Sequence, residues 1–497
     1  MKRNNIRKIL ALVTILAMLL GWTSVSLAAA ADEEDKVLEY LKTVMDMIKE
    51  KYNGEITDEQ LLEGALKGMF DTMDPYTTYY NMEEANSFLT SVGGEYEGIG
   101  VSMTKNGDYI MVVKVFSASP AEQAGVLSGD KIVTVDGKNI IGATSDEAQS
   151  LIMGPSGTKV TIGILRNGHE GVILKEIKRG QIKLNPVTYE IRDDIGYIRI
   201  DMFNSNTGKY TLAALKAMDD AGIGKIILDL RDNTGGEVSQ AVLVARNFVP
   251  EGLITELDFK SEKLPDQKYY SFLKEPRYKL AVLVNGMTAS ASEILTGAIQ
   301  DTEAGTVIGT KTFGKAKVQS VIPMLSPEAY KKYEEQLGKK LINAYDLLAS
   351  GILPKKSEIV GYSKITTGTY TTPNGRMIDG IGLTPDMVIE DPVPVNEINY
   401  RSIQKLTVTS KPDLDSEGID VNNAEKILKL LGYDVDKPDL KLDGKTHKAI
   451  WKFRVDNKLY PGGTLDYTTQ KLLNKKLDEK IPEIDKQYKA AADVLNK

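Results

Sequence analysis

The chain has 497 residues, a net charge of −7, and 42% hydrophobic and 26% charged residues; it is too long for one core and ordinary in composition for a set of globular domains. It has no cysteine and only two histidines, His169 and His447, which excludes thiol proteases, thiolate metal sites and disulfides and makes a Ser-His-Asp arrangement or a histidine metal centre a poor expectation. Lys2, Arg3, Arg7 and Lys8 stand in a 31-residue start that holds no acid, so the rest of the chain is net −11, which argues against nucleic acid as a partner.

The basic start precedes an apolar run, Ile9 to Leu20, and small residues from Ala28 to Ala31. This reads as an export signal over residues 1–31, cleaved or kept as an N-terminal anchor, and the run is short for a membrane span. Residues 32–93 read as a helical region, with Val37, Leu38, Leu41, Val44 and Met45, then Leu61, Leu62, Leu66 and Met69, at helical spacing. Asp74-Pro75-Tyr76 breaks the pattern.

Residues 94–180 alternate short apolar runs with turns at Asn106-Gly107, Asp136-Gly137 and Asn167-Gly168, which predicts a small β-rich domain. The stretch Ser119-Pro120-Ala121-Glu122-Gln123-Ala124-Gly125-Val126, followed by Gly129-Asp130-Lys131-Ile132 and Val135-Asp136-Gly137, resembles the core of a protease-associated PDZ domain. The resemblance makes Gly98-Ile99-Gly100-Val101 the loop whose amides hold a peptide's C-terminal carboxylate, a task that suits glycines because successive N–H groups converge on an anion.

From residue 181 to 395 the pattern becomes α/β. Lys225 to Leu230, Leu280 to Val284 and Thr306 to Gly309 read as buried strands, each of the first two followed by a glycine turn and a helix. Parallel pairing follows, with sites at the carboxyl ends of the strands. Ser290 follows the second strand, and Ser290-x-x-Glu293 fits a capping box. A serine nucleophile needs a base, and with histidine so scarce Lys315, after Phe313-Gly314, is the candidate. A lysine is a base only when neutral, which burial favours. Gly235-Gly236 after a buried strand supplies backbone N–H groups suited to an oxyanion, with the Ala291 amide opposite. Residues 325–360 form a helical insertion, and 396–413 a linker. Residues 414–477 read as three short helices and resemble the small peptidoglycan-binding domain of cell-wall enzymes. Residues 478–497 read as a charged tail.

Taken together, Asp74-Pro75, the PDZ core, Asp229-Leu230-Arg231-Asp232-Asn233 with Gly235-Gly236, Ala289 to Ile294, Gln300-Asp301, Phe313-Gly314-Lys315 with Val318-Gln319, and Tyr370 with Thr372 to Arg376 resemble the carboxyl-terminal processing, or tail-specific, proteases. The resemblance implies a multidomain α/β chain: a helical N-terminal region, a PDZ domain, a crotonase/ClpP-like protease core and a small all-α C-terminal domain. It implies a serine endopeptidase with Ser290 as nucleophile, Lys315 as base, Gln319 orienting the lysine, and Gly236 and Ala291 as the oxyanion hole. Arg166 is similar to an arginine that couples the PDZ and protease domains in some members. No metal or cofactor is implied; the expected partners are unstructured C-terminal tails, peptidoglycan and a second copy of the chain. Two departures stand out: Ala316-Lys317 replaces the family's usual Gly-Thr and puts a second positive charge beside Lys315, and the segment from Gln319 to Thr366 is long. The alternative reading is a non-catalytic PDZ and wall-binding scaffold on a protease fold.

Overall fold

The computed structural model describes residues 36–497 except Ser117, Asn167, Gly168, Lys263, Ile342, Asn343 and Ala349. The export segment at 1–31 and the turn at Asn167-Gly168 lie outside the described residues. The described residues divide into two compact units, 36–85 with 319–366 and 86–318 with 367–497.

In the smaller unit, residues 36–51 are helical and Asp58–Asp71 forms a second helix. Thr57 opens the latter with a capping box: its hydroxyl accepts the Gln60 N–H, and Gln60 Oε1 accepts the Thr57 N–H. Asp74 Oδ1 then accepts the Tyr76 and Thr77 amides at 2.8 and 3.0 Å, an Asx turn that redirects the chain. The helical expectation for 32–93 therefore breaks at Thr78–Asn81, a strand paired antiparallel with Gly361–Lys364. The strand Lys317–Leu325 also pairs with Ile359–Thr371. Between these two, the insertion is helical as expected. Ser326 caps Pro327–Leu337, with Pro327 in the first turn and Gly338 ending the helix at φ 62°. Leu325, Ala329, Tyr333, Leu341, Ala344 and Leu347 bury a core of their own there.

The larger unit holds three parts. Its PDZ domain has strands in the order Val101–Asn106, Tyr109–Val115, Lys131–Val135, Lys159–Leu165, Ile173–Lys178, all antiparallel, with Val101–Asn106 at an edge. The predicted turn at Asp136-Gly137 is present with φ of 48° and 79°, the left-handed pair a two-residue hairpin needs. Glu95–Gly98 pairs antiparallel with Gly180–Lys183, so the first and last strands of the domain meet.

The α/β core is a six-stranded sheet in the order Val187–Arg192, Ile195–Ile200, Lys225–Asp229, Lys279–Val284, Thr306–Gly309, Met387–Val388. The first pair is antiparallel and the rest parallel. Alternate residues go to opposite faces. Ile226, Leu228, Val282 and Val284 bury against the helices Thr207–Asp220, Val238–Ala245 and Ala291–Asp301. Ile227, Ala281, Leu283 and Ile308 bury against Tyr488, Ala491 and Leu495.

That second face corrects the reading of 478–497 as a charged tail. Tyr467–Ile484 and Lys486–Leu495 are helices, and the latter presents an apolar stripe to the sheet. Its charges lie on the outer side, which is why composition alone suggested a solvated end. The linker is also corrected: Ile398 and Leu406 are buried in the C-terminal core, and Leu406 exchanges backbone hydrogen bonds with the Asn474 amide at 2.8 and 3.0 Å. The helices Ile419–Leu430, Gly444–Asp456 and Tyr467–Ile484 form the expected all-α C-terminal unit.

Glu425 is buried in that unit, where Oε1 accepts the Thr446 hydroxyl at 2.5 Å and Oε2 the Asp439 amide at 2.7 Å. Burial raises its carboxyl to about 7, outweighing the hydrogen bonds that lower it. The folded chain thus binds this proton more tightly than the unfolded chain. The destabilisation from ionising Glu425 is absent at the ordinary carboxylate pH and grows as pH rises through 7. Glu425→Gln should be more stable than the parent above pH 7, with the gap closing as pH falls; urea midpoints across pH measure this, and a pH-independent gap contradicts it.

Candidate active site

The loops after the adjacent parallel strands Lys225–Asp229 and Lys279–Val284 are stitched together by fully buried polar side chains. The Asn233 carbonyl accepts the Ala289 amide and the Ser292 hydroxyl, each at 3.0 Å. Asn233 Oδ1 accepts the Gly235 amide at 2.9 Å, and its Nδ2 donates to the Ile200 carbonyl at 2.9 Å. Across the gap, the Thr288 hydroxyl donates to the Leu230 carbonyl at 2.9 Å, and Asn285 Oδ1 accepts the Asp232 amide at 3.0 Å. Strand periodicity could not reveal these bonds, because all but the Gly235–Asn233 turn bond join residues more than 30 positions apart.

Ser290 sits where the second of these loops turns into the helix Ala291–Asp301, at φ 58° and ψ −120°. That conformation is rare for a residue with a Cβ and costs on the order of 1–3 kcal/mol, a cost that surrounding bonds must offset. The capping box is only half made: Glu293 Oε2 accepts the Ser290 amide at 2.9 Å, but the Glu293 amide goes to the Ser290 carbonyl at 2.7 Å. The Ser290 hydroxyl makes no capping bond, so it is not committed to the helix.

Gly235 and Gly236 have φ of 104° and 137°. A Cβ on Gly235 would lie 2.9 Å from Ser290 Cβ and 3.0 Å from the Ala291 nitrogen, and one on Gly236 would lie 2.1 Å from the Phe203 carbonyl oxygen. Both positions therefore admit only glycine, and they bring the Gly235-Gly236 backbone against Ser290 and the first turn of its helix. Among the described residues no acceptor is recorded for the Gly236 or Ala291 amide.

Lys315 arrives from the loop after Thr306–Gly309. The Phe313 amide donates to the Thr288 carbonyl at 3.0 Å. Glu293, fully buried, gathers the rest: Oε1 accepts the Thr312 hydroxyl at 2.6 Å and the Gly314 amide at 2.8 Å, and Oε2 accepts the Lys315 amide at 2.8 Å. The Tyr370 hydroxyl lies 3.0 Å from the Ser290 carbonyl oxygen and 2.7 Å from that of Lys315. Glu293 and Tyr370 are the two site residues to which sequence reasoning gave no such part. The capping spacing and a motif match were the signals for Glu293, and a motif match the only one for Tyr370.

The second charge of the Ala316-Lys317 departure is accounted for. Lys317 Nζ lies 3.0 Å from Asp379 Oδ2, and Asp379 Oδ1 accepts the Ala316 amide at 3.0 Å. Gln319 lies in the strand Lys317–Leu325, and its Nε2 donates to the Thr366 hydroxyl at 3.3 Å. Large apolar side chains are exposed on the flanking loops at Met287, Phe313 and Ile381.

In the PDZ domain, the Gly98-Ile99-Gly100-Val101 loop opens the edge strand. The Ile99 and Gly100 carbonyls accept the Ala121 and Phe116 amides at 2.8 and 3.0 Å, and Gly100 has φ 86° with a would-be Cβ 2.4 Å from that of Ser119. The helix Ser145–Ile152 packs beside that strand. Arg166 is engaged inside the domain: it makes a bidentate pair with buried Asp130, both bonds 2.7 Å, and donates to the Gly125 carbonyl at 2.8 Å.

The chain matches the model of peptidase family S41 over residues 194–389, the PDZ domain over 98–173, and the activating protease CtpB N-terminal domain over 23–84. It is 34% identical over 372 residues to the carboxy-terminal-processing protease of Bartonella bacilliformis, covering 72% of this chain and 76% of that one. It is 30% identical to the carboxy-terminal processing protease CtpA of Bacillus subtilis, covering 96% of this chain and 94% of that one. This chain belongs to the carboxy-terminal processing proteases of family S41. CtpB of Bacillus subtilis is 28% identical over 459 residues, covering 91% of this chain and 87% of the relative. The family assignment agrees with a PDZ domain beside an α/β protease core.

One buried network sits behind the site. Asp229, at the end of its strand, accepts Arg231 Nη2 at 2.6 Å and the Tyr197 hydroxyl at 2.6 Å. Burial alone would raise the Asp229 carboxyl, but Arg231, Arg199 and Tyr197 hold it well below the usual carboxylate range. Arg231 Nη1 reaches Asp485 at 3.0 Å and Gln487 at 2.9 Å, and Tyr400 also donates to Asp485.

Proposed function

We propose that this protein is an exported serine endopeptidase that captures unstructured C-terminal tails through its PDZ domain and cleaves the captured protein with Ser290 as nucleophile and Lys315 as general base. One observation carries the reading. The Ser290 and Lys315 amides share a single carboxylate oxygen of Glu293, so their nitrogens lie no more than 5.7 Å apart, the two bonds laid end to end. A strained serine and a lysine 25 positions later are thereby held side by side at the strand ends.

In this mechanism the neutral Lys315 amine takes the Ser290 Oγ proton as Oγ bonds to the scissile carbonyl carbon. The Gly236 and Ala291 amides hold the resulting oxyanion, and the N-terminus of the helix Ala291–Asp301 adds its dipole. The Lys315 ammonium returns the proton to the departing amine nitrogen as the C–N bond breaks. Water then hydrolyses the acyl-serine by the same route. Gln319 is assigned its orienting part on the sequence resemblance. Exposed Met287, Phe313 and Ile381 favour apolar residues around the scissile bond. The edge strand Val101–Asn106 and the glycine loop before it suit a tail added as a further strand, its carboxylate on the loop amides. Export rests on the N-terminal pattern, and binding to peptidoglycan on the C-terminal helical unit.

The test is to treat the full chain with a fluorophosphonate, map the adduct by mass spectrometry, and compare cleavage of an unstructured protein with a free or an amidated C-terminus. The adduct should fall on Ser290 and the free-ended substrate should be cut faster. An adduct on another serine overturns the nucleophile, and equal rates overturn tail capture. Co-sedimentation with purified peptidoglycan tests the tether, which is refuted if the protein stays in the supernatant.

A further inference from the structure

Two side chains outside the reacting pair each touch both of its members. Glu293 Oε2 accepts the amides of Ser290 and Lys315 at 2.9 and 2.8 Å. The Tyr370 hydroxyl, with one proton to share, faces the carbonyls of the same two residues at 3.0 and 2.7 Å. Acceptor is matched to donors on one side and donor to acceptors on the other. The loops themselves are already joined by the Phe313 amide on the Thr288 carbonyl at 3.0 Å. The additional bonds therefore act on residues 290 and 315 in particular.

We propose that Glu293 and Tyr370 are paired positioning residues that fix the separation and orientation of the Ser290 and Lys315 backbones, and hence the reach of the base to the nucleophile. This rests on the assignment of Ser290 and Lys315 as that pair. Both clamps are set on rigid elements. Glu293 lies in the first turn of the helix Ala291–Asp301 and is fully buried, with its other oxygen held by Thr312 and Gly314. Tyr370 lies near the end of the strand Ile359–Thr371, paired with Leu257, and its own amide donates to the Ala316 carbonyl at 3.2 Å. Its ring is buried in the main core among the residues that include Ala291 and Ala316. Burial and the neighbouring Glu293 carboxylate push the phenol well above its ordinary value, so it keeps the proton it donates. The clamp holds open the strained Ser290 turn at φ 58°, which has no intrinsic preference for that shape.

Misplacing a catalytic group by about 1 Å costs up to about 100-fold in rate. Tyr370→Phe keeps the ring and removes only the hydroxyl. It should lower kcat about 10- to 100-fold per folded molecule and slow fluorophosphonate labelling of Ser290 in parallel, while KM for a tail substrate stays within about twofold. A purely structural role would lower the urea midpoint without moving kcat per folded molecule, and that outcome overturns the proposal. Glu293→Gln is the second arm. It keeps one acceptor oxygen and replaces the other with a donor that faces amides, so kcat should again fall with KM held; kcat within twofold of the parent in both variants also overturns the clamp. Ser290→Ala and Lys315→Ala run alongside. If either still cleaves, the assignment of the pair fails; if both are inactive while Tyr370→Phe and Glu293→Gln retain full kcat, only the clamp fails.

Discussion

Lys315→Met is expected to lower kcat on the order of 10⁴-fold, the upper range for removal of a general base, while leaving KM for a tail substrate within a few-fold. Methionine keeps an unbranched stem in a half-buried position and removes only the amine. The backbone bonds that build the loop survive, because Glu293 and Tyr370 hold the amide and carbonyl of residue 315 rather than its side chain. No histidine stands ready to substitute: His447 lies in the helix Gly444–Asp456 of the C-terminal unit, its ring against Gly463, and His169 belongs to the PDZ domain. Steady-state cleavage of an unstructured protein measures the effect, with urea unfolding as the control for folding. A kcat within tenfold of the parent would mean that another group takes the Ser290 proton.

Asp485→Ala should destabilise the chain by about 3–5 kcal/mol, the range for removing one partner of a buried ion pair. Asp485 is fully buried and does three things. It pairs with Arg231 Nη1 at 3.0 Å, accepts the Tyr400 hydroxyl, and caps the last helix through the Tyr488 amide at 2.9 Å. Without it, one side of the Arg231 guanidinium keeps Asp229 and the other keeps only Gln487. The helix Lys486–Leu495 would also lose its anchor, and with it the cover over Ile227, Ala281, Leu283 and Ile308. Lys475→Ala on the exposed side of the preceding helix, where a 3.8 Å pair with Glu479 stands in solvent, should change stability by less than about 0.5 kcal/mol. Urea midpoints for the two variants decide the matter, and equal shifts would remove the last helix from the core's energetics.

Much of this architecture was legible because its signals are local. The buried strands at Lys225–Asp229, Lys279–Val284 and Thr306–Gly309 lie where their apolar runs predicted, since a strand covered on both faces is apolar at every position. Ser290 and Gly235-Gly236 fall at the carboxyl ends of adjacent strands for the same reason. What was not legible depends on pairings between distant residues. Nothing near Asn233 states that its carbonyl will receive Ala289 and Ser292. Glu293 looked like a helix cap because three of its four partners arrive from residues 312–315. The tail and linker were misread because half-apolar helices and a packed strap are as polar in composition as solvated segments; the sheet's second face gives the tail's apolar residues a destination, and the C-terminal helical core gives the linker's.

The pairing of Glu95–Gly98 with Gly180–Lys183, extended by the Leu184 amide on the Gly94 carbonyl at 2.7 Å, closes the PDZ domain at its base. The protease chain leaves at one point and returns beside it, the geometry in which whole domains are tolerated as insertions. The PDZ domain is therefore a self-contained cartridge: another module grafted between Gly94 and Leu184 would leave every strand of the α/β core uncut.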